Sequence, residues 1–177
     1  MLVSATIVFH KPTNDRFNVT LGLFSNDYKT IDNATASRLP LWETALTIFK
    51  QNPINGIGPR GYRHVYTEYS EPDDYWHKLT QTHPHLLLLE IMAETGVLGL
   101  IGYLLIFYPL IILAKQSPLK KELLPFFIPV LVALFPFNAH MAFYGSIWSS
   151  VIWLLIALYF AKGKLVFVTS QDKLLPG

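Results

Sequence analysis

The chain of 177 residues contains no cysteine, which removes disulfide bridges, thiol nucleophiles and cysteine-ligated zinc without fixing a compartment. Charge is also scarce: 15% of the residues are Asp, Glu, Lys or Arg, against about 25% in an ordinary soluble domain. With 51% hydrophobic residues and a mean hydropathy of +0.34, the composition is not that of a free soluble globule. The scarcity is uneven. Residues 1–95 hold eight Lys/Arg and ten Asp/Glu, whereas residues 96–177 hold six lysines and two acids. Those lysines sit in two short clusters and the tail, offering no stripe for phosphates, so nucleic acid is not an expected partner. Internal repeats are absent, and so is a Gly-x-Ser-x-Gly elbow, which leaves a serine hydrolase without support.

What the second half does have is length without charge. Residues 96–114 (GVLGLIGYLLIFYPLIILA) are uncharged throughout and nearly match a hydrocarbon core of about 30 Å, which predicts a spanning helix. Residues 123–142 and 143–161 predict two further spans, with Pro109, Pro125, Pro129 and Pro136 tolerated where neighbouring helices satisfy the freed carbonyls. Lys115, Lys120 and Lys121 in the 115–122 loop, with Lys162 and Lys164 in the 162–177 tail, mark the cytoplasmic side. Residues 10–95 and the 138–146 turn then face outward, together with all six histidines, including His10 and His140. Leu2–Phe9 is too short to span and has no basic flank. The simplest expectation is that residues 1–9 end a missing transmembrane helix of a longer polytopic protein; the rival is a signal anchor at Gly96.

In the outer segment, Asn14-Asp15 and Ser25-Asn26-Asp27 read as turns around a strand-like Phe17–Phe24, predicting loops and a short hairpin. Leu39, Trp42, Ala45, Leu46 and Phe49 recur at helical spacing, with Ser37 as cap and Asn52-Pro53 as stop. Gly56-Ile57-Gly58-Pro59-Arg60-Gly61 has the letters of a dinucleotide loop, but no strand precedes it and Pro59 removes an amide. It reads instead as a tight turn presenting Arg60 and Arg63. Tyr62, Val65, Tyr66 and Tyr69 form a packing stripe. Glu71-Pro72-Asp73-Asp74 with His77 offers too few ligands for a hard cation and reads as a solvated loop, so no metal is expected.

Thr82-His83-Pro84-His85 opening the apolar run is the sharpest feature. Pro84 suits a first helical turn, predicting a helix that starts here and continues unbroken into the first span, with His85 beside Leu89, Met92 and Gly96. An imidazole at the membrane boundary, near neutrality in pKa, suits a general base; the bland reading is a histidine that caps a helix. Arg38, Arg60 and Arg63 upstream can hold a diphosphate headgroup.

Three blocks, Ser37-Arg38-Leu39-Pro40-Leu41-Trp42, Asn52-Pro53-Ile54-Asn55-Gly56-Ile57-Gly58 and His83-Pro84-His85 followed by Leu89-Glu90 and Glu94-Thr95-Gly96-Val97-Leu98-Gly99, resemble the O-antigen ligase and polymerase family, which includes bacterial O-oligosaccharyltransferases. The resemblance implies an all-α polytopic fold with about three transmembrane helices here, preceded by a mostly helical periplasmic loop over residues 10–95. It implies a multi-pass protein of the bacterial inner membrane in lipopolysaccharide biosynthesis. The implied reaction moves a glycan from undecaprenyl diphosphate to lipid A core or another hydroxyl acceptor, with the lipid bilayer as partner and no cofactor or required metal. By position His85 matches the family's base and Arg38 its diphosphate ligand, with His83 supporting; Arg60 and Arg63 are added from charge and placement. Leu86 stands where ligases carry a polar residue, so polymerase and protein oligosaccharyltransferase stay open, as does a non-catalytic membrane-anchored module. The family draws another arginine from an earlier transmembrane region, so this chain is expected to act as a C-terminal portion.

Overall fold

The computed structural model describes residues 11–79, 81–116, 120–139 and 142–172; the expectations for Leu2–Phe9 and His140 lie outside them. Among the described residues the fold is all helical, with seven α-helices and no strand. The helices are α1 (Lys11–Leu21), followed by a 3-10 turn (Gly22–Phe24), α2 (Tyr28–Ala34), α3 (Leu39–Gln51), α4 (Tyr62–Tyr69), α5 (Leu87–Gln116), α6 (Lys120–Ala133) and α7 (Ser146–Asp172).

The hairpin expected around Phe17–Phe24 is absent. Pro12 stands in the first turn of α1, where its missing N–H costs nothing, and the helix runs on to Leu21. Asp27, read as a turn residue, is the N-cap of α2: its carboxylate accepts from the Thr30 amide at 2.9 Å and the Thr30 hydroxyl at 2.7 Å. These hydrogen bonds hold its pKa below the ordinary value, most strongly through the Thr30 hydroxyl. Ser37 does not cap α3. Arg38 occupies that position without a side-chain cap bond, and Pro40 lies in the first turn.

The helices make two packed units. In the outer unit Leu41, Ala45 and Ile48 of α3 meet Tyr62 and Tyr66 of α4, and Leu89 and Ala93 of α5 close the cluster. Tyr62 donates to the Leu41 carbonyl at 2.8 Å, and burial, the largest cause, raises the pKa of both tyrosines well above the ordinary phenol value. The bundle unit packs Leu87, Ile91, Tyr103 and Leu110 of α5 against Leu123 and Val130 of α6 and Ile152 and Tyr159 of α7. The first turns of α5 therefore serve both units.

Two helices, Leu87–Gln116 and the Ser146–Val168 part of α7, are long and apolar enough to cross a membrane. Their outward residues include Leu104, Leu105, Trp153 and Leu154, all exposed in the isolated chain. Where spans were expected over 123–142 and 143–161, the helices run from Lys120 to Ala133 and from Ser146 to Asp172. Lys162 pairs with Glu122 at 3.1 Å, so the two basic clusters share one end of the bundle. At the other end the Leu87 and Leu88 amides donate to the Asn138 and Pro136 carbonyls at 3.1 and 3.0 Å.

The helix expected to start at Pro84 and run unbroken begins instead at Leu87 and is interrupted at Gly96, whose φ of 63° and ψ of −155° are not helical. The Pro53–Gly58 loop fills the interruption. Ile57 and Gly58 amides donate to the Ala93 and Glu94 carbonyls at 3.1 and 2.9 Å, and Val97 and Leu98 amides donate to the Pro53 and Ile54 carbonyls at 2.8 and 3.1 Å. Four backbone groups flanking the break thus find partners in the loop, as burial demands. Gly56, with φ of 61°, lies against the Glu94–Thr95 backbone, and a Cβ at Gly96 would stand 2.5 Å from the Ile54 carbonyl. The first glycine of the Gly-x-Gly-x-x-Gly letters therefore answers to close packing against α5.

Candidate functional site

The site lies at the end of the bundle away from the Lys162–Glu122 pair. A cleft of about 270 Å³ is lined by Arg60, Arg63, Thr82 and His83 on one side and by Gly145, Ser146, Ile147 and Trp148 at the start of α7 on the other. One wall carries two guanidinium groups. The facing wall is the N-terminus of a helix of 27 residues, whose dipole favours an anion. Arg63 Nε is buried and has no hydrogen-bond partner among the described residues. A buried guanidinium donor without an acceptor, in a cleft that attracts negative charge, suits an anionic ligand.

The two histidines are held together above this cleft. His83 Nδ1 and the Thr82 hydroxyl share a hydrogen bond of 2.8 Å, and the His83 and His85 rings lie 4.0 Å apart between centroids. His83 lines the cleft and is buried; His85 lies against it with the ring planes inclined by 50° and is half-buried. His85 has a φ of 53°, in the left-handed region that costs a non-glycine residue strain. Such strain persists only where surrounding packing enforces it. Trp42 supplies part of that packing, its indole N–H donating to the Pro84 carbonyl at 3.0 Å. His85 consequently precedes α5 instead of sharing a helical face with Leu89 and Met92.

Of the five residues singled out from sequence, Arg60, Arg63 and His83 line one cleft and His85 lies against His83. Arg38 does not line the cleft. It stands at the N-terminus of α3, one turn before Trp42, and is half-buried. Its place is fixed from behind, since Ala36 and Ser37 turn the chain through φ values of 58° and 57° and the Trp76 indole donates to the Ser37 carbonyl.

Two residues were missed. Glu90 and Glu94, one turn apart on α5, are 2% and 1% exposed. Glu94 accepts from the Arg60 amide and, at 3.2 Å, from the Tyr62 amide. Glu90 accepts from the Phe143 and Tyr144 amides at 2.9 and 3.2 Å. Two acids at a spacing of four inside the otherwise apolar run 86–99 were the available signal, because carboxylates seldom enter such a run unless they are paired or hydrogen-bonded. The acidic loop with His77 is tied internally: Asp74 accepts from the Tyr66 hydroxyl and the Trp76 amide, and His77 Nδ1 meets Ser70 Oγ at 2.8 Å. Among the described residues no group of three His, Cys, Asp or Glu is arranged to hold a metal ion.

The family model described as O-antigen ligase matches residues 2–104. A protein of Rickettsia conorii described as a candidate polysaccharide ligase is 33% identical over 88 residues, covering 48% of this chain and 21% of its own. A protein of Rickettsia felis with the same description is 32% identical over 88 residues, with the same two shares. The match thus spans about a fifth of the length of these curated relatives. No solved structure matches the chain. With more than half of its length matched by the family model, including the arginine cleft wall, both histidines and the broken helix, the chain belongs to the O-antigen ligase family.

Proposed function

We propose that the chain is part of an inner-membrane enzyme that moves a glycan from undecaprenyl diphosphate to an acceptor hydroxyl at the periplasmic face. The observation that carries this reading is the cleft itself: Arg60, Arg63 and His83 converge on the start of α7, with His85 against His83. In this reading His85 takes the proton of the acceptor hydroxyl as its oxygen attacks the anomeric carbon. The bond from that carbon to the diphosphate breaks, and the departing diphosphate takes the electron pair. Arg60, Arg63 and the first amides of α7 face the charge that develops there, the kind of fixed electrostatic stabilisation that contributes most to such a step. Arg38 contacts the same donor from the α3 end. The names of the relatives, polysaccharide ligases, favour ligase over polymerase or protein oligosaccharyltransferase; lipid A core is the acceptor class this reading adopts.

The test is glycan transfer in membranes from cells carrying the whole coding sequence. His85→Ala is expected to lower transfer at least 100-fold, the usual scale of general-base loss, with unchanged protein level. Arg63→Ala and Arg38→Ala are expected to raise KM for the lipid-linked donor about 10-fold or more, since charge-assisted hydrogen bonds carry about 1.5–3 kcal/mol. Undiminished transfer in both His85→Ala and Arg38→Ala would leave the second reading, a non-catalytic membrane-anchored module, as the better one.

A further inference from the structure

Both walls of the cleft hang from one helical turn. Glu94 holds the arginine wall through the Arg60 and Tyr62 amides, and Glu90 holds the α7 wall through the Phe143 and Tyr144 amides. A third contact reinforces the second wall, where Thr95 Oγ and the Tyr144 hydroxyl share a hydrogen bond of 2.8 Å. Neither carboxylate lines the cleft. They touch the backbone behind it. A turn of α-helix is a rigid spacer of about 5.4 Å, whereas the 58–61 and 142–145 turns are each closed by one backbone hydrogen bond of 2.9 Å, which fixes the shape of each but not the distance between them.

We infer that Glu90 and Glu94 are paired positioning residues that set the gap between the two anion-attracting walls, and thereby make the cleft selective for a diphosphate over a single phosphate. The inference rests on the reading of the cleft as an anion site and deepens it. A ligand with two linked phosphoryl groups can meet the guanidinium wall and the helix N-terminus at once, and the second contact is then intramolecular and strongly favoured if the spacing fits. A single phosphate meets one wall and is indifferent to the gap. Spacing held by buried carboxylates therefore matters to the bridging ligand alone.

The probes are sodium pyrophosphate and inorganic phosphate, titrated against the whole chain in detergent micelles and followed by tryptophan fluorescence, since Trp148 lines the cleft. The wild-type chain is expected to prefer pyrophosphate at least 10-fold. Glu90→Ala and Glu94→Ala each reduce that preference to within about 3-fold while phosphate affinity stays within about 2-fold. Glu90→Gln and Glu94→Gln, which keep one acceptor oxygen of the two, fall between. Because an alanine at a buried site can unfold the chain, Tyr144→Phe supplies a milder arm: it removes the Thr95 contact, leaves both carboxylates in place, and should cost the preference about 2- to 3-fold. An unchanged preference in the folded carboxylate variants and in Tyr144→Phe overturns the inference, and so does an equal loss for both anions, which would mean lost charge balance around Arg63 instead of lost spacing. If the wild-type chain binds both anions without preference, the spacing claim alone falls; if it binds neither, the anion-site reading falls with it.

Discussion

Helices α5 and α7 are both long and apolar, yet they meet the rest of the chain in opposite ways. α7 runs from Ser146 to Asp172 without interruption and offers the site only its first turn. α5 is interrupted at Gly96, takes the Pro53–Gly58 loop into its hydrogen-bond ladder, and carries two buried carboxylates in the stretch before the break. The difference teaches that apolar length does not determine a helix's role. The helix that organises this site is the one that departs from regularity, because a break exposes donors and acceptors that a loop can occupy, and a loop so held can bring side chains to a fixed place.

The comparison is broken most severely at the glycines of the junction. Gly96→Ala and Gly56→Ala each combine a positive φ with a Cβ driven into backbone, and each is expected to cost about 3 kcal/mol or more, read as loss of the folded species in thermal or denaturant unfolding in micelles. Next in size, Tyr62→Phe removes the hydroxyl that reaches the Leu41 carbonyl and should destabilise the outer unit by about 1–2 kcal/mol. Tyr159→Phe, which removes the hydroxyl donating to the Leu110 carbonyl at 2.8 Å on the α7 side, should cost about 1 kcal/mol and leave the cleft's anion affinity unchanged.

Alkaline pH should loosen the outer unit. The Tyr62 and Tyr66 phenols have raised pKa values when folded, through burial first, whereas in the unfolded chain they ionise near the ordinary value of about 10. Above that pH the unfolded state binds fewer protons than the folded one, so this contribution is complete below about pH 10 and is lost as the pH rises further. Near-ultraviolet signals from the outer unit should therefore fade above about pH 10. The smallest effect is expected at Gly163→Ala on α7. The added Cβ meets only the flexible end of the Leu113 side chain, and helix propensity offsets the crowding, leaving a net change within about 1 kcal/mol.

Much of the fold could be read from pattern because the relevant signals were local. The spacing of Leu39, Trp42, Ala45 and Phe49 corresponds to α3, and the tyrosine stripe to α4, with Tyr62 and Tyr66 turned inward. What pattern could not supply was pairing between distant segments. Nothing local in Asn52–Gly58 says that its amides complete a helix some forty residues further on, and nothing in the 86–99 run says which amides its two acids will meet. Polar α1 was misread for a different reason: without apolar periodicity, Asn14, Asp15 and Asn18 signal turns as strongly as they permit helix. At the site, Arg60, Arg63, His83 and His85 were visible as residue types, and the fold gathers them. Arg38, chosen on the same grounds, stands apart from the cleft at the head of α3.

The interlock at Gly96 also bears on how the chain comes to be seated in a bilayer. A hydrophobic stretch normally finds its depth by matching its own length to the oil around it. Here the amides of Val97 and Leu98 and the carbonyls of Ala93 and Glu94 would stand bare in that oil until Pro53–Gly58 arrives. The depth at which α5 can settle is then set by the Pro53–Gly58 segment acting as a collar, and the cleft beside it inherits its height from that collar instead of from hydrophobic matching.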